Sequence, residues 1–375
     1  MNTCPAFLLG HTRSADRDPA VAECLRQIGD IPADANLGFL YVTDSFANEL
    51  QLILDRFRAE TGIEHWIGTV GIGICASGTE YAQVSAMAAM IACFPGHSYR
   101  VLPFYNRAAD HLPGAWDDWL QQSESHVAVV HGDPGNNNLP MLLGQLHSEL
   151  PGGYMLGGLS SSHGAHPQIA DELLEGGLSG VVFNDQVSIA TGLSQGCSPI
   201  AGKHAITDCA NNVINRIDDR PALDVFKEDI GEILARDLNR AAGYIFAGLP
   251  IRGSDTGDYL VRNLVGIDTQ GKRLAIGDLV HPGQALHFCR RDSNTAREDM
   301  QRMLDDLKRR VPGTPRGGLY FSCLGRGQDL FGEPSAELKM IEATLGEFPL
   351  VGFFANGEIF NDQLYGYTGV LTVFN

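Results

Sequence analysis

The sequence predicts an α/β fold, with α+β as the alternative, built from repeated strand–helix–strand–strand units. Three segments share the same order of an apolar run, an amphipathic stretch and a second apolar run. A segment rich in Gly and Ser follows each second run, and similar apolar runs at residues 180–184 and 370–375 close the second and third segments. The order predicts a crossover with two parallel strands, and the closing run predicts an antiparallel strand. Helices in such crossovers cover the faces of a mixed sheet.

Each segment can be divided into its elements by hydrophobic periodicity and by the residues that end helices, such as Gly62 and Pro151. The predicted strand, helix and strand lie at residues 38–42, 46–60 and 66–73; at 127–130, 139–150 and 154–157; and at 318–321, 335–345 and 349–354.

The middle of the chain has a different pattern. Residues 221–242 predict a long amphipathic helix, whose apolar stripe is typical of core packing. Runs at residues 244–250, 259–268, 274–278 and 285–290 then predict a meander of strands, followed by a helix at 294–310. We therefore predict two related domains, residues 1–219 and 220–375, with the boundary near Arg220–Pro221.

Composition narrows the classes of function. The net charge is −18, from 45 acidic and 27 basic residues, and such a field repels nucleic acid and anionic membrane surfaces. No stretch approaches the roughly 20 apolar residues of a membrane helix, so membrane insertion is not expected. The eight cysteines include no CxxC pair, which predicts free thiols in a reducing cytoplasm and no zinc ribbon.

The motifs in this order resemble the FIST family. The N-terminal part carries the resemblance at residues 73–78 and 157–161. The C-terminal part resembles the family more sharply, at residues 221–224, 259–262, 266–268, 321–327 and 352–359. The resemblance implies a sensory module of bacterial signal transduction that binds a small ligand, with amino acids proposed for the family. Some members look like haem-binding nitric-oxide sensors that regulate a histidine kinase. The chain has no output domain of its own, so the expected partner is a separate signalling protein, such as a sensor histidine kinase.

Ligands of open α/β sheets bind beyond the carboxyl ends of the strands. Superposing the three segments places Asp44, His131 and Cys323 at or next to the end of a first strand, which predicts a pocket there. Arg326 would favour the thiolate of Cys323, whose alternative role is that of a small buried hydrophobe. A thiol-dependent enzyme is a rival hypothesis, in which His131 would be the base.

A ligand with an amine and a carboxylate has candidate partners in the sequence. Glu358 could bind the amine, and Arg262 and Arg326 could hold the carboxylate by bidentate contacts. The alternative is that Glu358 caps a loop and that the arginines form structural salt bridges. The Gly-rich segments add four candidate ligand-binding residues, namely Ser160, Ser161, Asn356 and Gly357.

Haem is the cofactor that the sequence leaves open, because one neutral imidazole on an apolar wall suffices for ligation. No CxxCH motif is present, so haem would be noncovalent. For each histidine the alternative is a structural role, and a protein-binding scaffold without a small ligand is a further hypothesis. The candidate axial ligands are His131, His163, His166, His204, His281 and His287. The preferred hypothesis is a cytoplasmic sensor that is not an enzyme.

Overall fold

The computed structural model describes residues 7–107, 110–238, 241, 243–251 and 259–375. The chain forms two compact units. The first comprises Met1–Ser194, Asp299–Leu364 and Thr368–Asn375, and the second comprises Gln195–Glu298 and Tyr365–Tyr367. The division at residues 219/220 stays a prediction about the two sequence halves. In the described part of the chain, no helix is both long and apolar enough to span a lipid bilayer.

The first unit begins with two copies of one arrangement. The elements of the first copy are β1 (Phe7–Arg13), α1 (Arg17–Ile28), β2 (Leu37–Thr43), α2 (Leu50–Thr61), β3 (His65–Gly71), β4 (Gly73–Ala76), β5 (Thr79–Ala82) and β6 (Ala86–Ala92). The elements of the second copy are β7 (Tyr99–Tyr105), α3 (Asp117–Leu120), β8 (His126–Gly132), α4 (Leu139–Glu149), β9 (Tyr154–Leu159), β10 (Gln168–Ala170), β11 (Glu172–Leu174) and β12 (Leu178–Asn184). The helix predicted at residues 46–60 starts as a 3-10 turn, Asp44–Glu49, before α2 begins.

The third copy starts with β13 (Ile189–Gln195) and is then interrupted by the second unit. The elements of that unit are β14 (Cys197–Pro199), β15 (His204–Ala210), β16 (Val213–Ile217), β17 (Arg220–Pro221), α5 (Ala222–Ala235), β18 (Ile245–Pro250), β19 (Tyr259–Asp268), β20 (Arg273–Ile276) and β21 (Ala285–Arg291). The third copy resumes with α6 (Ser293–Arg310), β22 (Gly317–Cys323), α7 (Gly327–Phe331), α8 (Ala336–Leu345), β23 (Leu350–Ala355), β24 (Glu358–Phe360), β25 (Gln363–Tyr365) and β26 (Thr368–Phe374).

The second unit is an antiparallel sheet with helix α5 packed against it. Its strand order is β14-β21-β15-β16-β20-β19-β18, and β18 also pairs with β21. The predicted strands of the meander are confirmed. The helix predicted at residues 221–242 ends at Ala235 and is broken at Gly231, where φ is 77°; Ala242 lies outside the described residues. The helix packs through Phe226 onto Phe288, with ring centroids 4.9 Å apart.

Three six-stranded sheets in the first unit have the same strand order. They read β1-β6-β2-β3-β10-β11, β7-β12-β8-β9-β24-β25 and β13-β26-β22-β23-β4-β5. The pairs β2–β3, β8–β9 and β22–β23 are parallel. The closing strands β6, β12 and β26 are antiparallel to β2, β8 and β22. The predicted strand–helix–strand–strand unit and the mixed α/β fold are therefore confirmed.

A hairpin from each copy completes the sheet of another copy. Hairpin β4–β5 pairs with β23, hairpin β10–β11 pairs with β3, and hairpin β24–β25 pairs with β9. The prediction of a loop at residues 73–78 was therefore wrong in part, because residues 73–76 are a strand. The Gly-rich segments are the places where the chain leaves one sheet for the next.

One glycine per copy fixes how the copies correspond residue by residue. Gly68, Gly157 and Gly352 lie on the second strand of each crossover. A Cβ atom there would lie 1.8, 1.8 and 1.7 Å from the carbonyl oxygens of Leu40, Val130 and Tyr320 on the neighbouring parallel strand. No side chain can occupy that space, so only glycine allows the strands to pair there.

This correspondence makes Tyr41, His131 and Phe321 equivalent residues, one position after the carbonyl that the glycine faces. Their rings meet, with centroids 5.5 Å apart for Tyr41 and His131, and 6.1 Å apart for His131 and Phe321. The residues equivalent to Cys323 are then Thr43 and Asp133, two positions beyond the ring positions of their copies. In the predicted superposition, Asp44 therefore lies next to the position equivalent to Cys323, whereas His131 lies two positions before it.

Candidate functional site

The candidate site begins at Cys323, the last residue of β22. The chain turns sharply after the strand, because the backbone N–H of Arg326 donates to the carbonyl oxygen of Cys323 at 2.8 Å. The N–H of Gly325 lies 3.5 Å from the sulfur atom and donates to it. The thiol is half-buried, so it lies at the boundary between the core and the surface.

Behind Cys323, a fully buried ion pair joins Arg326 to Glu337. Nη2 of Arg326 lies 2.7 Å from Oε1 of Glu337, and both side chains have 0% exposure. Arg326 also donates to the carbonyl oxygen of Ser194 at 3.2 Å. Glu337 accepts further hydrogen bonds from the Tyr320 hydroxyl at 2.5 Å and the Ser322 hydroxyl at 3.1 Å. The guanidinium group of Arg326 thus has partners within the chain, in agreement with a structural salt bridge.

Glu358 begins β24 and is fully buried beside this pair. Its Oε2 accepts hydrogen bonds from the backbone N–H of Thr368 at 3.1 Å and from its hydroxyl at 2.7 Å. Its Oε1 is buried and has no hydrogen-bond donor of nitrogen or oxygen among the described residues. Burial raises the pKa of Glu358 to about 8, against the opposing effects of Thr368, Arg326 and the nearby thiol of Cys323. The carboxyl group is therefore mostly protonated at neutral pH.

At the position equivalent to Glu358 the other two copies have no carboxyl group. Strand pairing makes Glu358 equivalent to Gln168 and Ile74. Gln168 is satisfied at both ends, since it accepts from Ser179 at 2.7 Å and donates to the carbonyl oxygen of Gly177 at 3.2 Å. Ile74 needs no hydrogen bond. The third copy thus departs from the other two at Glu358.

The predicted site residues of the Gly-rich segments form hydrogen bonds that connect these segments to each other and to β3. The hydroxyl oxygens of Ser160 and Thr69 are 2.6 Å apart. The hydroxyl of Ser161 donates to the carbonyl oxygen of Phe354 at 2.5 Å. The backbone N–H of Asn356 donates to the carbonyl oxygen of Leu159 at 3.0 Å. Gly357 has a φ of 120°, which a side chain would strain, and leads directly into Glu358.

His131 lies within the aromatic core. Its Nε2 is 3.0 Å from the Tyr41 hydroxyl, and its ring packs against Phe321 and Phe353. Burial lowers the pKa of His131 to about 3, so the imidazole is neutral. Glu358 is the titratable neighbour that the structure places beside Cys323, and the described contacts of His131 are with aromatic rings.

Arg262 belongs to the second unit. It lies on β19, and its Nε donates to Oδ2 of Asp278 at 2.7 Å. Both residues of this ion pair belong to the second unit.

Four of the six histidines proposed as haem ligands have contacts that do not suit that role. His131 is enclosed by aromatic rings, and His287 is 2% exposed, with so little space beside it that a Cβ atom added to Gly248 would lie 2.3 Å from its Nε2. His204 holds an aspartate at each ring nitrogen, and His163 is 79% exposed and paired with Asp44. The other two are His166, whose Nδ1 lies 3.8 Å from Asp133, and the exposed His281. The surroundings of the first four therefore do not fit an axial ligand of haem. Within the described ranges, no three His, Cys, Asp or Glu side chains are placed to hold a metal ion.

A cleft of about 440 Å³ in the first unit was not predicted from the sequence. It is lined by Arg100, Trp116, Tyr99, His65 and Asp171, among other residues. These residues come from separate segments that no motif links. The close spacing of Trp116 and Trp119 was the one signal that could have drawn attention to it.

Comparison with known proteins agrees with the repeated architecture. The model of the FIST N domain matches residues 36–220, and that of the FIST C domain matches residues 222–361. The chain is 30% identical over 361 residues to "Uncharacterized protein Rv0628c" of Mycobacterium tuberculosis (strain ATCC 25618 / H37Rv), covering 92% of each chain. It is 29% identical over 255 residues to "Uncharacterized protein Mb0898c" of Mycobacterium bovis, covering 64% of this chain and 66% of the relative. The chain therefore belongs to the FIST family.

Proposed function

We propose that this protein is a cytoplasmic sensor of signal transduction that binds a small ligand at Cys323 and Glu358. The observation that carries the proposal is the buried Oε1 of Glu358, which has no nitrogen or oxygen donor among the described residues. A buried carboxyl oxygen without a nitrogen or oxygen donor costs stability, and a bound ligand is one way to supply that donor. The equivalent residues of the other two copies are a satisfied glutamine and an isoleucine, which makes the third copy the specialised one.

The chemistry of the site favours a ligand with an amine, such as an amino acid. An ammonium group would donate to Oε1 of Glu358 and would favour the ionised carboxylate, because opposite charges stabilise each other in a buried site. Since Glu358 is mostly protonated at neutral pH before binding, ligand binding would release a proton. The half-buried thiol of Cys323 would contact the ligand at the mouth of the site.

A signal can leave this site through the exchanged hairpin. Glu358 is the first residue of β24, which pairs with β9 in the sheet of the second copy. Its carboxyl group is bound to Thr368, the first residue of β26 in the sheet of the third copy. A ligand that moves Glu358 therefore acts on two sheets at once. We propose that a separate signalling protein, such as a sensor histidine kinase, recognises the resulting change.

The test is a thermal-shift screen of the purified protein against the common amino acids and simple amines. We expect at least one of them to raise the melting temperature, because a ligand that binds only the native state stabilises it. E358Q should weaken that ligand at least about tenfold, since it removes a charge-assisted contact. The matched control is E175Q at an exposed glutamate, which should bind as the wild type does.

Proton release gives a second readout. In weakly buffered solution near pH 7, ligand binding should acidify the wild-type solution and should not acidify that of E358Q. Binding that E358Q leaves unchanged, or binding without proton release, contradicts the proposed site. Consumption of the ligand that is lost in C323S would identify a thiol-dependent enzyme instead.

A further inference from the structure

The cleft of about 440 Å³ in the first unit has the features of a second ligand site. Pockets of this size bind metabolite-sized molecules. Four of its nine lining residues carry rings, which offer flat surfaces for stacking. Its principal lining residues are His65, His97, Tyr99, Arg100, Trp116 and Asp171.

Arg100 brings a positive charge into this cleft, and no Asp or Glu among the described residues forms an ion pair with it, although the chain carries a net charge of −18. Its guanidinium carbon lies 5.7 Å from the centroid of Trp116 and 5.4 Å from that of Trp119. Its Nη1 donates to the carbonyl oxygen of Ala115 at 3.2 Å. These contacts hold the guanidinium group in place, and its remaining N–H groups are candidate donors to an oxyanion.

The one acidic residue of the lining is already bound by the protein. Asp171 forms the turn between β10 and β11 at a φ of 61°. Its Oδ2 lies 2.8 Å from Nδ1 of His65, and its Oδ1 accepts the backbone N–H of Trp66 at 3.1 Å. Arg58 lies 3.9 Å from the same Oδ1. These contacts offset part of its charge, which reduces its repulsion of an anion bound at Arg100.

The cleft is held open by hydrogen bonds among its own walls. The hydroxyl of Tyr99 donates to the carbonyl oxygen of Asn36 at 2.7 Å. The indole N–H of Trp119 donates to the carbonyl oxygen of His97 at 2.7 Å, and Asn184 donates to the same oxygen at 3.3 Å. Binding to a preformed cleft avoids the entropy cost of ordering its walls.

We propose that this cleft binds a small organic acid that carries an aromatic ring. The carboxylate pairs with Arg100, and the ring lies among Tyr99, Trp116 and His65. None of these residues belongs to the site around Glu358, so the proposal goes beyond the proposed function and does not depend on it.

Tryptophan fluorescence tests binding at this cleft directly. Two of the three tryptophans of the chain, Trp116 and Trp119, lie against Arg100, while Trp66 is fully buried against Phe57. Three probes separate charge from ring, and each is titrated at constant ionic strength. Benzoate carries both features, benzyl alcohol carries the ring alone, and inorganic phosphate carries the charge alone. We expect a saturable change with benzoate, at an affinity at least about tenfold above that for either other probe.

Variants of Arg100 test whether the fluorescence change with benzoate depends on this residue. R100Q should reduce the affinity for benzoate to that for benzyl alcohol, and R100K should be intermediate because lysine keeps the charge but not the planar fork. R13Q, at an exposed arginine outside the cleft, is the matched control and should bind as the wild type does. Melting temperatures of all variants show whether each is folded.

Three results would overturn the proposal. They are the absence of a saturable response to benzoate, a response equal to that for phosphate, and a benzoate affinity unchanged in folded R100Q and R100K. Benzoate binding that persists in E358Q confirms that the two sites are independent.

Discussion

At the scale of single residues, Glu358 is the group whose ionisation most directly reports on the candidate site. Burial raises its pKa to about 8, so the native state holds the proton well above the pH at which an unfolded glutamate releases it. Unfolding therefore releases a proton between about pH 4.5 and 8, and the free energy of unfolding falls as pH rises through this window. Above pH 8 the native state must keep a buried carboxylate, and the loss is complete.

Two buried histidines have the opposite effect at lower pH, where the free energy of unfolding falls as the pH decreases. The pKa of His131 is lowered to about 3 and that of His287 to about 4, both by burial. Each contributes stability above about pH 6.5 that is lost as pH falls toward the lowered value. The effect of these histidines on the free energy of unfolding is therefore smallest above pH 6.5. Between pH 6.5 and 8 the change in that free energy best reports on Glu358 and Glu80, two carboxyl groups with a raised pKa.

We predict that E358Q has a flatter stability profile than the wild type between pH 6.5 and 8. One proton corresponds to a slope of at most about 1.4 kcal/mol per pH unit, and E358Q should lose most of that slope. Urea denaturation at several pH values measures it, with E175Q as the control. Parallel profiles for E358Q and wild type would show that Glu358 ionises normally in the native state.

The sequence indicated the individual residues of the site but not their partners. Cys323, Arg326 and Glu358 were selected because they follow strand ends, and the structure places the three together. Whether they bind a ligand stays a prediction. The partner of Arg326 is Glu337. The helix that carries Glu337 was predicted, but the ion pair was not, because ion pairs between separate segments leave no local pattern.

At the scale of elements, the three crossovers were predictable because strand and helix periodicities are local. The exchanged hairpins were not, since strands of three or four residues are shorter than any reliable periodic signal. Residues 73–76 therefore resembled a loop, and only their pairing with β23 identifies them as a strand. Gly157 and Gly352 had been noted as the start of Gly-rich segments and Gly68 had not been noted, whereas all three have a steric role.

The equivalent glycines give a prediction about these elements. G352A should destabilise the protein by at least about 3 kcal/mol or prevent folding, because the methyl group would overlap the carbonyl oxygen of Tyr320 and the parallel pair could not close. G68A should destabilise the protein in the same way, because its methyl group would overlap the carbonyl oxygen of Leu40. Urea denaturation, or the soluble fraction where folding fails, measures the effect.

The matched control for this pair is G144A. Gly144 lies on the exposed face of α4, and a Cβ there would meet nothing within 4 Å. Alanine should raise the free energy of unfolding by up to about 1 kcal/mol, since glycine is a poor helix former. If G352A were as harmless as G144A, the close approach of the two strands in the third copy would be refuted.

At the scale of the whole molecule, the two sequence halves do not correspond to separate sets of sheets. The sheet that contains β22 and β23 also contains β4, β5 and β13 from the N-terminal half. In exchange, β24 from the C-terminal half extends the sheet of β9. Sequence could not reveal this, because the pairings join residues far apart in the chain while composition changes only near residue 220. The predicted boundary at Arg220–Pro221 therefore describes two halves whose strands are interleaved.

Interleaving predicts how fragments behave. A fragment of residues 1–219 leaves β4 and β13 without their partner strands, and a fragment of residues 220–375 exposes both edges of the β26-β22-β23 ribbon. Unpaired edges and uncovered apolar faces favour aggregation, so each fragment alone should be insoluble or lack cooperative unfolding. Co-expression of the two should yield a soluble one-to-one complex, because all four sheets can then form. Size-exclusion chromatography and near-ultraviolet circular dichroism, with the intact chain as reference, distinguish these outcomes. A cooperative, native-like transition in either isolated fragment would mean that residue 220 separates two independently folding domains, and that the exchanged strands contribute little to stability.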